Sequence, residues 1–161
     1  MIMATAAKNL SDWDFSGLPS GEGLHVALVT ADWNQEITEA LYEGAHRTLL
    51  QAGVKAKNIL RRRVPGSIEL TFAAKELCQS DLYDAVIAIG VVIEGETRHF
   101  DYVCQSVTQG ITELNLRYST PVIFCVLTDR NIEQSRARSG GKHGNKGVEA
   151  AVAALRMALR V

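Results

Sequence analysis

The sequence predicts an α/β domain of three layers over residues 24–161: a four-stranded parallel sheet with helices on both faces, preceded by an N-terminal arm over residues 1–23. Stretches that suit a strand alternate four times with stretches of helical spacing, the signature of a parallel sheet joined by crossover helices. The run Ala85–Ile93 is apolar without polar alternation, as a strand covered on both faces must be. Each predicted strand also ends in a turn that leads into a helix. At 161 residues, one such domain buries a core without disulfides or metals.

The arm is polar and irregular, with Trp13, Phe15, Leu18 and Pro19 among Ser, Asp and Gly. Its aromatics are expected to dock, since a disordered tail has little use for them. Residues 24–30 form the first strand. Ile37, Leu41, Ala45, Thr48, Leu49 and Ala52 keep helical spacing, and Gly53 suits the end of that helix. The second strand covers 58–64, and Pro65-Gly66-Ser67 turns it into a helix carrying Ile68, Phe72, Ala73 and Leu77. After the third strand, a helix is predicted from Thr97, with Phe100, Val103, Val107, Ile111 and Leu114 on one face. Residues 121–127 form the fourth strand. A short helix follows Thr128-Asp129, then a glycine-rich bend over 140–147 and a last helix carrying Val148, Val152, Leu155 and Leu159.

Composition narrows the function. A net charge of −1 points to no nucleic acid and no anionic membrane surface. The one cationic run, Arg61-Arg62-Arg63, reads as a solvated or interface-facing strand. Cys78, Cys104 and Cys125 form no C-x-x-C pair, which argues for reduced core thiols in a cytoplasmic compartment and against a metal site. No apolar stretch approaches the ~20 residues of a membrane helix. The N-terminus lacks the basic and apolar regions of a secretory signal.

In open parallel sheets, ligands bind beyond the carboxyl ends of the strands. Those ends deliver Asp32, Trp33 and Asn34; Ser67 and Glu69; Glu96, Thr97 and His99; and Phe124, Leu127 and Thr128. The third end is the most informative. There a buried strand turns into a helix whose start offers free N–H groups and a positive dipole end, an anion site. His99, of the residue type that exchanges protons near neutral pH, stands beside it. The pattern indicates chemistry on a phosphorylated small molecule.

Five ordered motifs resemble the lumazine synthase family: Trp33-Asn34 with Ile37-Thr38; Val64-Pro65-Gly66-Ser67 with Glu69; residues 90–99; Val126-Leu127-Thr128 with Gln134; and Arg138 followed by Gly144-Asn145-Lys146-Gly147. The resemblance covers roughly residues 24–160 and implies a flavodoxin-like fold. It implies condensation of 5-amino-6-(D-ribitylamino)uracil with 3,4-dihydroxy-2-butanone 4-phosphate, without cofactor, in riboflavin biosynthesis. It also implies homo-oligomers built of pentamers with the active site between neighbours, a sixty-subunit icosahedral shell, and riboflavin synthase as a further partner.

Site roles are likewise implied by the resemblance. Trp33 is expected to stack on the pyrimidine ring with Asn34 beside it; the alternative is that Asn34 caps a helix and Trp33 packs on its first turn. Ser67, Ile68 and Glu69 are expected to hold the ribityl chain, although Glu69 suits a helix start equally. Val91, Val92 and Ile93 would meet the heterocycle through their backbone, and Phe124 would line it or serve as a core residue. The backbone at Glu96 and Thr97, the fork of Arg138 and, with less weight, Lys142 would read the phosphate. Lys146 adds only positive potential, and His99 would be the general acid/base. His25, His46 and His143 match no motif.

Some positions depart from the family. Glu94 stands where relatives often carry Arg or Lys, which weakens attraction of the phosphate. Ile68 and Thr71 replace the common Phe and Pro, Cys125 replaces a frequent Gly, and Trp33 replaces the commoner Phe. Trp33 keeps a flavin-binding or storage role in view. A flavin-phosphate electron carrier is discounted, because Ala31-Asp32-Trp33-Asn34 contains no glycine for a phosphate loop. A purely shell-forming protein is a third alternative.

Overall fold

The computed structural model describes residues 17–161; Trp13 and Phe15, the aromatics expected to anchor the arm, lie outside the described residues. Within 17–161 the chain builds β1 (Val26–Ala31), α1 (Gln35–Gln51), β2 (Ile59–Val64), α2 (Leu70–Gln79), β3 (Ala85–Ile93), α3 (His99–Arg117), β4 (Val122–Asp129), α4 (Ile132–Arg138), β5 (Ser139–Gly141), β6 (Gly144–Asn145) and α5 (Lys146–Leu159). The main sheet is parallel throughout, in the order β2-β1-β3-β4. This is the flavodoxin-like three-layer arrangement. No helix among the described residues is long and apolar enough to cross a membrane.

Alternation along the central strands divides the core between the two faces, because successive side chains point to opposite sides. On one face Leu28, Ile87, Ile89, Cys125 and Leu127 pack against Ile37, Leu41, Ala45 and Leu49 of α1 and Ala151 and Leu155 of α5. On the other, Val29, Val86, Ala88 and Val126 meet Leu70, Ala74 and Leu77 of α2 and Val103, Val107 and Ile111 of α3. The uniformly apolar β1 and β3 lie inside the sheet, where both faces are covered.

The arginine triplet lies on β2, an edge strand. Each member is ion-paired: Arg61 with Glu39, Arg62 with Glu76, and Arg63 with Asp32 at 2.7 Å. Charged side chains on an edge oppose pairing with another sheet. The triplet is thereby accounted for within the fold.

Three local differences from the predicted elements have physical causes. The third helix begins at His99 and not at Thr97, because Thr97 Oγ1 accepts the His99 N–H at 3.4 Å and closes a side-chain turn before the helix. The glycine-rich bend is a short antiparallel hairpin, β5 with β6. The final residues assigned to the arm are packed: Gly21 is buried and its N–H donates to Ala52 O at 2.7 Å, while Leu18 touches the α1/α5 core.

Candidate active site

A cleft of about 490 Å³ opens at the carboxyl ends of β1, β2 and β3. Three strand ends and the start of α3 converge on it. The β1 end contributes Trp33 and Asn34, the β2 end contributes residues 65–69, and the β3 end contributes Val91, Val92 and Ile93. His99 and Val103 of α3 complete the lining. Nine of the residues expected from the sequence are thus brought together: Trp33, Asn34, Ser67, Ile68, Glu69, Val91, Val92, Ile93 and His99.

Trp33 is 74% exposed, so it does not pack on the first turn of α1 but stands free at the cleft as a flat apolar surface. Its N–H donates to Pro65 O at 3.1 Å and that of Asp32 to Val64 O at 2.8 Å, which fixes the loop to the end of β2. Asn34 occupies the N-cap position of α1 but makes no side-chain cap; its backbone is left-handed (φ 57°). Its carbonyl instead accepts the Ile37 and Thr38 N–H groups. Asn is among the few residues that enter this conformation readily. The alternative in which the Asn34 side chain caps the helix is therefore not what the structure shows.

Ser67 is buried, and its hydroxyl donates to Val91 O at 3.3 Å, pinning the β2 turn to the end of β3. Gly90 makes the approach possible, since a Cβ there would lie 2.6 Å from Ser67 Oγ. One carboxylate oxygen of Glu69 accepts the Gly66 N–H at 2.9 Å. Glu69 therefore orders its own turn, as a residue at a helix start does, and also lines the cleft. A short 3-10 turn, Ser67–Glu69, precedes α2.

The β3–α3 turn is exposed. Among the described residues, the backbone N–H groups of Glu96 and Thr97 meet no protein acceptor. They are available to an anion next to His99. Glu94 is also exposed, its N–H tied to Asp129 O at 2.9 Å. The other histidines stand apart: His25 N–H donates to Asp84, His46 stacks on Tyr42, and His143 is exposed between β5 and β6.

Phe124, Arg138 and Lys142 are not in this cleft. Phe124 pairs with Ala88, three positions before Val91, and is 42% exposed on the edge strand β4. It lines a separate groove with Lys146 and Glu149. Lys146 Nζ lies 2.9 Å from both Glu149 carboxylate oxygens; a cation that the motifs marked only as background thus shares the groove of Phe124. Arg138 ends α4, whose Ile132 packs in the α1/α5 core. Val103 of the cleft belongs to the opposite core. Arg138 Nη1 donates to Gln134 O at 3.0 Å, and Lys142 is exposed between β5 and β6.

Among the described residues, no three His, Cys, Asp or Glu side chains gather as a metal site requires. The cysteines are free thiols. Burial pushes Cys78 up to about 11, and burial with the Glu149 charge pushes Cys125 up to about 12. Neither is a nucleophile at neutral pH. The hydrogen bond from Arg136 holds Glu36 below the usual carboxylate range and raises Arg136 in turn.

A family model described as 6,7-dimethyl-8-ribityllumazine synthase matches residues 23–161. Three similar curated proteins carry that same name. The one from Christiangramia forsetii is 55% identical over 97% of this chain and 94% of its own length. Those from Parabacteroides distasonis and Porphyromonas gingivalis are each 55% identical, over 96% and 97% of this chain and 97% of their own lengths.

Proposed function

This chain belongs to the 6,7-dimethyl-8-ribityllumazine synthase family, and we propose that it catalyses the reaction of that name in riboflavin biosynthesis. As a transferase it condenses 5-amino-6-(D-ribitylamino)uracil with 3,4-dihydroxy-2-butanone 4-phosphate, releasing phosphate and water. The observation that carries the reading is the cleft, where a free indole, a hydroxyl and carboxylate turn, a β-strand end and a histidine converge from separate segments.

The chemistry follows from what these groups offer. The pyrimidine stacks on Trp33, an interaction worth roughly 1–3 kcal/mol by analogy with base–aromatic platforms. Its ring polar groups meet the backbone at Val91–Ile93, and the ribityl hydroxyls meet Ser67, Ile68 and Glu69. The ring amine attacks the ketone carbonyl and water leaves, giving an imine. His99 takes a proton as the imine tautomerises and returns one as phosphate departs. The free N–H groups of Glu96 and Thr97 hold the phosphate, whose charge matches the start of α3. The second amine closes the ring with loss of water.

Phe124, Arg138 and Lys142 take part from a neighbouring copy. Their separation from the cleft within one chain supports this reading, since a phosphate cation on the opposite face serves a site only across an interface. Cyclic pentamers satisfy that need, and the short β5–β6 hairpin, without inserted residues, favours their closure into a sixty-subunit shell. Riboflavin synthase is the implied further partner. The free thiols support a cytoplasmic location.

The test supplies both substrates to the purified protein and follows the fluorescent lumazine. Product formed well above the spontaneous rate is expected, and the spontaneous rate alone would overturn the assignment.

A further inference from the structure

Arg138 sits at the end of a seven-residue helix and at the start of a glycine-rich hairpin, a poor platform for a residue meant to read a phosphate. What holds it is α1. The anchor is Asn145, a buried carboxamide at the N-terminus of α5. Its Oδ1 accepts the Gly147 N–H at 2.8 Å, which caps α5. Its Nδ2 donates to Ala40 O at 2.9 Å, in the middle of α1.

The docking is close enough to require two glycines. A Cβ on Gly44 would lie 2.6 Å from the Asn145 carboxamide, and one on Gly147 would lie 1.9 Å from Leu41 O. Asn145 also pairs with Ser139, the residue after Arg138. A second tie reaches α1 from α4, since Arg136 grips Glu36 through two bonds of 2.8 and 3.0 Å. Glu36 lies in the first turn of α1, two residues after Asn34.

We infer that Asn145 is a positioning residue for phosphate recognition: it locks the β5–β6 hairpin to α1 and thereby sets the placement of Arg138. The inference rests on the reading of Arg138 as a phosphate contact. Helix α1 is then a shared beam. Its N-terminus carries the Trp33–Asn34 loop of one site, and its middle carries the mount of an arginine that serves another.

Asn145→Ser keeps an N-cap for α5 but cannot reach Ala40. It is expected to raise the KM for the ketone phosphate roughly fivefold or more while leaving the KM for the pyrimidine within about twofold, because only the charge-assisted phosphate bond loses its geometry. Glu36→Gln, an exposed change that leaves the fold intact, is expected to shift the same constant by less. In Arg138→Ala the Asn145→Ser change is expected to have no further effect on that KM, since residues that act through one another do not add.

Equal changes in both constants, or additive effects in the double variant, would overturn the inference. So would an unchanged ketone-phosphate KM in Asn145→Ser alongside a raised one in Arg138→Ala. An unchanged KM in Arg138→Ala itself would overturn the underlying phosphate role, and the single variant reveals that case separately.

Discussion

At Trp33, an apolar ring stands in water because the loop beneath it is tied by backbone bonds to β2 rather than by burial of the indole. Such a ring is a direct reporter of ligand. Riboflavin or a product analogue is expected to quench the intrinsic fluorescence, and Trp33→Ala to remove the ligand-dependent part. Trp13 is the second fluorophore, so the comparison with the variant is needed; a full response in Trp33→Ala would disprove stacking there. His99 is placed differently, exposed in the cleft lining beside the free N–H groups of Glu96 and Thr97. His99→Ala is expected to slow kcat by about 10²-fold or less, near the lower end of general acid/base effects, because the attacking amine is already a nucleophile and positioning supplies much of the rate. Single-turnover kinetics in the variant would check this, and an unchanged kcat would remove His99 from the proton-transfer role.

Elements hold the site through close approaches that a larger side chain would block. Gly147→Ala illustrates the cost: the new methyl would meet the Leu41 carbonyl, a backbone atom that cannot swing aside. Overpacking of this kind costs about 1–3 kcal/mol or more, and denaturant unfolding is expected to show a lower midpoint. Gly144-Asn145-Lys146-Gly147 belong in sequence to the motif that begins with Arg138, yet Asn145 and Gly147 form the joint between the hairpin and α1. Periodicity reports which face of an element is buried; it does not report that a glycine is there to admit a neighbour's carboxamide. For the same reason β3 was legible over its full length, since nine residues covered on both faces leave a continuous apolar run. The strands β5 and β6 were not legible, because five residues rich in glycine carry no alternation. The start of α3 was placed two residues early, because the turn made by the Thr97 hydroxyl resembles a helix cap in sequence.

On the scale of the whole molecule, the motifs named candidate site residues without showing that the fold divides them between two places. Order along the chain ties Phe124 and Arg138 to the fourth strand and the segment after it, and only the fold shows that β4 is an edge and that α4 packs on the α1/α5 core. That division makes a prediction about assembly. If each site takes His99 from one copy and Arg138 from the next, two defective chains can repair one another. His99→Ala and Arg138→Ala proteins, each weakly active alone at low ketone phosphate, are mixed, dissociated and reassembled. With random neighbours in a closed ring, about one site in four receives both intact residues. Activity should therefore rise to roughly a quarter of the native value on reassembly, and not when the preformed oligomers are simply mixed. Light scattering on the same samples reports the size of the particle. Recovery with isolated pentamers would support the shared site and reject the shell; failure to recover in correctly reassembled particles, or full activity in a monomer, would mean that each chain completes its own site.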